Sequence, residues 1–253
     1  MSSIESRESR SPSRGVLIAA GAIIALLSLN WVAAVARFQV EGIYWDQWMF
    51  LEPMFKGEGW LVLFTQQHGP HRQGIAFIIT SWIMEWSGWD TRVEALWGAS
   101  LLMVAAVMAL VWKYRLTGRL GWIDLWLPLA ALGMRQYENI ILVPHASHSL
   151  FPVVLMWLAA LVMLRELSVR RWLALGVIGV LALFTGFALF VWGALMGLVV
   201  LVSARVLWRK QYHNLVGPGA GAAILLAGLG WFLHGYLFNP ASPGATFPHY
   251  PLG

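Results

Sequence analysis

The chain has 253 residues, of which 59% are hydrophobic and only 11% are charged, whereas ordinary soluble domains carry about 25% charged residues. This composition excludes an ordinary soluble domain and indicates an integral membrane protein. The lack of cysteine excludes disulfide bonds, thiolate metal sites and sulfur redox chemistry, and the net charge of +5 does not by itself indicate nucleic-acid binding in a membrane protein.

The first predicted element is a short polar tail followed by an apolar helix. Residues 1–14 are rich in serine and arginine, which predicts a disordered cytoplasmic tail. Residues 15–36 are long enough for a transmembrane helix and show no obvious small-residue cleavage site, so we interpret them as an uncleaved anchor. We assign residues 15–253 to a single transmembrane module.

The fold class predicted is an all-α integral membrane protein with about seven transmembrane helices plus interfacial helices in the first outer loop. The apolar stretch 172–208 is too long for one crossing, at about 1.5 Å per residue, and both of its ends are basic. A tight hairpin near Thr185–Gly186 would divide it. The seven predicted helices cover residues 15–36, 93–112, 120–134, 149–164, 172–185, 187–206 and 218–238.

The distribution of charge predicts the orientation. With the N-terminus in the cytoplasm, twelve of the 17 lysine and arginine residues fall in cytoplasmic segments, and eight of the 12 acidic residues fall in outer segments. Cytoplasmic loops carry an excess of lysine and arginine. The pattern therefore predicts a multi-pass membrane protein with a cytoplasmic N-terminus.

The first outer loop, residues 37–92, is rich in tryptophan. Together with Trp31, it holds seven of the 16 tryptophans, a residue type that favours the membrane–water interface. Within it, residues 73–87 are short for a span and include Glu85, so we predict a helix lying on the outer leaflet.

Three groups of polar residues fall on the predicted outer side. A carboxylate near apolar rings has a raised proton affinity and suits a general base for a hydroxyl. The planar fork of an arginine suits a phosphate. The three groups are Asp46 and Gln47 in "YWDQW", His68, His71 and Arg72 in "QQHGPHR", and Arg135 and Glu138 in "RQYENI", followed by His145 and His148.

Each group also has a purely structural interpretation. Asp46 can cap a short helix. His68 and His71 are three residues apart across Gly-Pro, which is not a strong metal spacing. Arg135 and Glu138 can pair with each other at (i, i+3). Their common location around one loop favours a shared site.

The order of these segments resembles the bacterial GT-C-type glycosyltransferases, membrane enzymes that take sugars from polyprenyl-phosphate donors. The resemblance rests on "YWDQW", "HGPHR" and "RQYENIILVPHASHSLF". It implies that Asp46 is the catalytic base, that His68, His71, Arg72, Arg135 and Glu138 bind substrate, and that a divalent metal is a candidate cofactor. The implied partners are a polyprenyl-phosphate-linked sugar, membrane lipids and other integral membrane subunits, with no nucleic acid.

The sequence leaves a second hypothesis open, a non-catalytic GT-C-fold subunit of a larger membrane complex. Two departures from the family pattern motivate it, because Gln47 stands where a second acid is common and Pro70 where an acid often precedes the second histidine. A transporter or lipid flippase fits less well, because few ionisable residues fall in the middle of the predicted spans.

Overall fold

The computed structural model describes residues 13–39, 42–43, 46–68, 71–72, 74–142, 150–186 and 188–237. The described chain is helical apart from one small hairpin. Its α-helices are α1 (Arg14–Phe38), α2 (Asp46–Phe55), α3 (Trp60–Thr65), α4 (Gly74–Ser87), α5 (Thr91–Thr117), α6 (Trp126–Leu132), α7 (Phe151–Val162), α8 (Val169–Leu183), α9 (Ala188–Trp208) and α10 (Val216–Leu233). The hairpin pairs β1 (Gln67–His68) with β2 (His71–Arg72).

Short 3₁₀-helical and π-helical turns connect some of these α-helices. Turns of 3₁₀ helix precede α6 and α10, at Trp122–Leu125 and Tyr212–Leu215. After α6 the chain passes through a 3₁₀ turn, Met134–Gln136, and a π-helical turn, Glu138–Leu142. Such turns are rarely long because their hydrogen-bond geometry is poorer than that of the α-helix.

Capping residues explain where the two longest helices begin and end. The Ser13 side chain accepts a hydrogen bond from the backbone N–H of Val16 at 3.3 Å, at the start of α1. Asp90 does the same for Arg92 at 2.9 Å, at the start of α5. Gly118 ends α5 with a φ of 71°, a left-handed conformation that glycine adopts without steric cost.

One half of the helix bundle forms around α1 and α5. Its buried side chains come from these two helices, from the end of α6 and from the π-helical turn, and they include Trp31, Leu102, Leu132 and Ile140. The indole N–H of Trp31 donates to the backbone carbonyl of Leu132 at 2.9 Å, which fixes α1 to the end of α6. A buried indole usually needs such an acceptor.

The other half forms around α8, α9 and α10, with α7 between the halves. Its core contains Leu155, Trp172, Leu195 and Leu225, one from each of α7 to α10. Glycines let α8 and α10 approach closely, since a Cβ added to Gly217 would lie 2.5 Å from Cδ1 of Trp172. Small residues at helix contacts are the usual means of close packing in membranes.

Within the described residues, four helices are long and apolar enough to cross a membrane, and they are Arg14–Phe38, Thr91–Thr117, Leu189–Trp208 and Tyr212–Leu233. The part of the chain that the structure describes is thus all-α, with several helices suited to a multi-pass membrane protein. The predicted helices 120–134, 149–164 and 172–185 correspond to the shorter α6, α7 and α8, so a count of seven spans stays a prediction. The predicted break of the helix near Thr185–Gly186 is confirmed, since α8 ends at Leu183 and α9 begins at Ala188, whereas a hairpin of two membrane spans at this point stays a prediction.

Helices α2 to α4 and the β1–β2 hairpin cover the end of the bundle where α1 and α10 finish and α5 begins. We call this the loop end. The ring of Phe64 in α3 packs against Phe184 at 4.4 Å and Trp231 at 4.9 Å, measured between ring centroids. These contacts attach the segment between α1 and α5 to the ends of α8 and α10.

Candidate functional site

The hairpin sets the positions of the histidines and the arginine at the loop end. In its antiparallel register, Gln67 lies opposite Arg72 and His68 lies opposite His71. Gly74 begins α4 two residues later, where any Cβ would collide with the backbone carbonyl of Phe64. Glycine at this position therefore allows α4 to start directly against the end of α3.

Arg72 links the hairpin to the ends of two helices. Its side chain is 5% exposed, with Nη1 donating to the carbonyl of Thr65 at 2.6 Å and Nη2 to the carbonyl of His234 at 2.7 Å. Thr65 ends α3 and His234 follows the last residue of α10, so the guanidinium satisfies carbonyls that helix ends leave without partners. Burial lowers the pKa of Arg72 from its ordinary value, but a guanidinium stays charged at any physiological pH.

A second pair of hydrogen bonds strengthens this link. The Gln67 side chain donates from Nε2 to the carbonyl of Leu237, and its Oε1 accepts from the Leu237 N–H, both at 2.9 Å. The amide of Gln67 thus pairs with the backbone as a neighbouring strand would. The segment after α10 is held against the hairpin at two points, Arg72 and Gln67.

These contacts border an open cavity at the loop end with a volume of about 510 Å³. We call it the loop-end cavity. Its polar side consists of Arg72, two glutamines and the end of α10, and its apolar side comes from α3 and α10. The full lining is Leu61, Val62, Thr65, Gln66, Gln67, Arg72, Trp231, His234, Gly235 and Leu237.

The charge of this lining comes from the arginine. Arginine has five N–H donors, and the two printed bonds of Arg72 use one on each Nη. Its Nε is buried and finds no hydrogen-bond acceptor among the described residues. Arg72 therefore combines a full positive charge with unused donors beside an apolar wall, a combination suited to an amphipathic anion.

A buried polar cluster lies near the start of α5. The two oxygens of Glu94 each accept one hydrogen bond, Oε2 from Nε2 of Gln47 at 3.2 Å and Oε1 from the hydroxyl of Thr80 at 3.0 Å. Both Glu94 and Gln47 are 3% exposed. This cluster joins α2, α4 and α5, and Gln47 directly follows Asp46 in the chain.

The exposed side of α2 carries aromatic rings. Phe55 stacks on Trp89 with centroids 5.0 Å apart, and Trp48 lies 5.9 Å from Phe55. Trp89 has a φ of 71°, which is unusual for a residue with a side chain. Glu52 of α2 and Lys56, which follows the end of that helix, form an exposed ion pair at 2.7 Å, and the hydrogen bond from this pairing raises the pKa of Lys56.

Of the six residues predicted for the site, Arg72 lines the loop-end cavity. The backbone of Asp46 begins α2, and that of His68 pairs with His71 in the hairpin, but the side chains of Asp46 and His68 lie outside the description. His71 is partly buried at the cross-strand position. His145 and His148 fall in the segment 143–149, also outside the described residues.

Arg135 and Glu138 lie apart from the cavity. Both are exposed, in the turns that follow α6, and neither belongs to the cavity lining. The carboxylate of Glu138 accepts a hydrogen bond from the Tyr137 hydroxyl at 3.2 Å, and this bond raises the pKa of Tyr137. The structure therefore supports Arg72, and not Arg135, as the arginine of the cavity.

A divalent metal remains a candidate only through the resemblance. Within the part of the chain that the structure describes, no three histidine, aspartate or glutamate side chains come together in a group that could hold a metal ion. The side chains of Asp46 and His68 fall outside that part. Arg72 can neutralise a phosphate without a metal.

Comparison of the chain with protein-family models, curated proteins and solved structures finds no match.

The sequence did not reveal three of the residues that build this region. Glu94 could have been found from the sequence, because an acidic residue just inside a long apolar helix costs free energy unless it has hydrogen-bonding partners. No sequence pattern identifies Gln67 and His234, since their roles depend on a contact between segments about 170 residues apart. Such pairings are set by tertiary packing and leave no local pattern.

Proposed function

We propose that this chain is a GT-C-like membrane glycosyltransferase that transfers a sugar from a polyprenyl-phosphate donor to an acceptor hydroxyl at the outer face. The observation that carries the proposal is the loop-end cavity, where the Arg72 guanidinium lies beside the apolar side chains of Leu61, Val62 and Trp231. A polyprenyl phosphate needs both features, since its phosphate is anionic and its chain is hydrocarbon.

The proposed reaction uses one base and one cation. The Asp46 carboxylate takes the proton of the acceptor hydroxyl, whose oxygen attacks the anomeric carbon of the donor sugar. The bond from that carbon to the phosphate oxygen breaks, and the electron pair leaves with the polyprenyl phosphate. Arg72 stabilises the charge that develops on the leaving phosphate. His68 and His71, whose backbones are paired in the register of the hairpin, position the substrates.

Orientation and environment form part of the same proposal. The loop end faces the periplasmic side of a bacterial inner membrane, and the N-terminus is cytoplasmic. The charge distribution supports this, because most of the basic residues belong to the segments at the opposite end of the bundle. Exposed tryptophans on α4, Trp82 and Trp86 at 70% and 78%, support its placement at the outer interface.

The test is sugar transfer from polyprenyl-phosphate-linked hexoses and pentoses by the purified protein in detergent. We expect Asp46→Ala to abolish transfer and Arg72→Lys to raise the KM for the donor, because lysine keeps the charge but loses the planar fork. Arg135→Lys is the matched control, since Arg135 is exposed outside the cavity, and we expect it to retain wild-type transfer.

Transfer that survives Asp46→Ala would rule out the assigned base. Equal effects of Arg72→Lys and Arg135→Lys would rule out the assigned phosphate site.

A non-catalytic subunit of a larger membrane complex is the second candidate. The observation that favours it is the apolar exposure of α9, where Phe190 and Leu201 are 78% and 70% exposed. Such a face meets either acyl chains or the helix of another subunit. Co-purification of integral membrane partners, together with no transfer from any of the donors, would favour this candidate over the enzyme.

A further inference from the structure

The Glu94 cluster raises a question that the proposed reaction does not answer. A carboxylate that is 3% exposed at the start of a long apolar helix is costly unless both of its oxygens are satisfied. Here they are, by Gln47 at 3.2 Å and Thr80 at 3.0 Å. Each oxygen has a protein donor and Glu94 does not line the loop-end cavity, which indicates a structural role for this side chain.

The element that the cluster holds is a weak one. Helix α2 has only ten residues and contains Pro53, and isolated helices shorter than about 12–15 residues are marginal in water. Its packed side presents Gln47 and Leu51, which are 3% and 1% exposed. A hydrogen bond in its first turn therefore has a large influence on where that turn lies.

We infer that Glu94 is a positioning residue that fixes the first turn of α2 through Gln47, and with it the adjoining Asp46. The inference rests on the proposed function in one respect, the role of Asp46 as the base. It also explains why an amide stands at position 47, where the resemblance leads one to expect a second acid. An acid at 47 would put two carboxyl groups at the 3.2 Å now spanned by an amide donor and a carboxyl acceptor.

The geometry allows the two partners to be exchanged. In the double variant Gln47→Glu with Glu94→Gln, the new amide at 94 donates to the carboxylate at 47, and its oxygen still accepts from Thr80. The single variant Gln47→Glu replaces the amide donor with a second carboxyl group, so the two groups can bond only when one of them binds a proton. Glu94→Leu loses both hydrogen bonds, whereas Glu94→Gln keeps them after rotation of its amide and of the Thr80 hydroxyl.

The first measurement is the distance between spin labels on α2 and α5. Because the chain has no cysteine, the labels attach only to cysteines introduced at Glu52 and Leu96, which are exposed. We expect one narrow distance distribution in the parent protein, a broader one with Glu94→Leu and with Gln47→Glu, and recovery of the narrow one in the exchanged double variant and in Glu94→Gln. Glu85→Leu, at an exposed acid of α4, is the matched control and leaves the distribution narrow.

The second measurement is sugar transfer by the same variants without labels. Displacement of a catalytic group by about 1 Å can lower turnover about 100-fold, so we expect Gln47→Glu to lower kcat by about that factor, with the KM for the donor unchanged. The exchanged double variant recovers kcat.

The two measurements separate the inference from the proposed function. The inference would be overturned, whatever the activity, if all variants gave the same distribution of label distances. It would also be overturned if the distribution of the double variant were as broad as that of Gln47→Glu. A parent protein that transfers no sugar, but shows the expected distance changes, would refute the glycosyltransferase and leave Glu94 as the residue that positions α2.

Discussion

The contact between α8 and α10 gives a prediction with a control two residues away. A methyl group added at Gly217 would lie 2.5 Å from Cδ1 and 3.1 Å from Nε1 of Trp172, whereas one added at Gly219 would meet nothing within 4 Å. Overpacking a tight site costs about 1–3 kcal/mol. Trp172 is 2% exposed and its rigid ring has little room to move, so we expect Gly217→Ala to cost about 2–3 kcal/mol in the free energy of unfolding. Gly219→Ala has no collision and gains up to about 0.5–1 kcal/mol from the greater helix propensity of alanine.

The assay is thermal unfolding of both variants in one detergent. For a chain of this size, each kcal/mol lost from the free energy of unfolding lowers the melting temperature by about 2–4 °C. We therefore expect Gly217→Ala to lower the melting temperature by roughly 4–12 °C. Trp172→Phe, which shortens the obstructing ring, should make the added methyl group less costly than it is in the parent protein, because contacting residues couple. Equal melting temperatures for the two alanine variants, or additive effects of Gly217→Ala and Trp172→Phe, would refute the close contact.

Three further predictions concern single polar contacts, each measured as the free energy of unfolding in detergent. Trp31→Phe removes the hydrogen bond to the Leu132 carbonyl and should cost about 1–3 kcal/mol; no loss would mean that the carbonyl finds another donor. Arg72→Met removes two charged hydrogen bonds to backbone carbonyls and should cost about 3 kcal/mol. This value is the low end for two such bonds, because water can reach the freed carbonyls from the cavity. A loss below about 1 kcal/mol would contradict the link between the hairpin and α10. Asp124→Asn weakens the 3.3 Å contact with Lys113 and should cost about 1–2 kcal/mol in low salt and less in high salt, whereas an effect independent of salt would speak against the ion pair.

Helices could be predicted wherever a long apolar run meets a capping residue. The predicted run 15–36 corresponds to α1, Arg14–Phe38, and the run 93–112 corresponds to α5, Thr91–Thr117. The observed ends lie close to the predicted ones because Ser13 caps the start of α1, and Asp90 and Gly118 cap the two ends of α5. The predicted span 120–134 illustrates the opposite case. It contains only seven residues of α-helix, between a 3₁₀ turn and the break at Gly133, since apolar composition alone does not ensure continuous helical hydrogen bonds.

The site could be predicted in part, for a similar physical reason. An arginine in a loop rich in tryptophan is conspicuous, and Arg72 does line the loop-end cavity. Arg135 had the same appearance in the sequence but is exposed away from the cavity. The difference arises because the hairpin carries Arg72 to the end of α10, a long-range contact that no spacing within "RQYENI" or "QQHGPHR" encodes.

The two buried ionisable groups of the loop end differ in their access to the loop-end cavity. Both oxygens of Glu94 are bound to side chains of neighbouring helices, the residue is 3% exposed, and it does not line the loop-end cavity. Arg72 donates two hydrogen bonds to backbone carbonyls, which leaves three of its five N–H groups for other acceptors. The same two bonds hold the guanidinium in place before any ligand arrives, and such preorganisation lowers the entropic cost of binding. If the loop end binds a lipid phosphate, Arg72 is therefore the group that binds it, and Glu94 is the group that keeps α2 in place beside it.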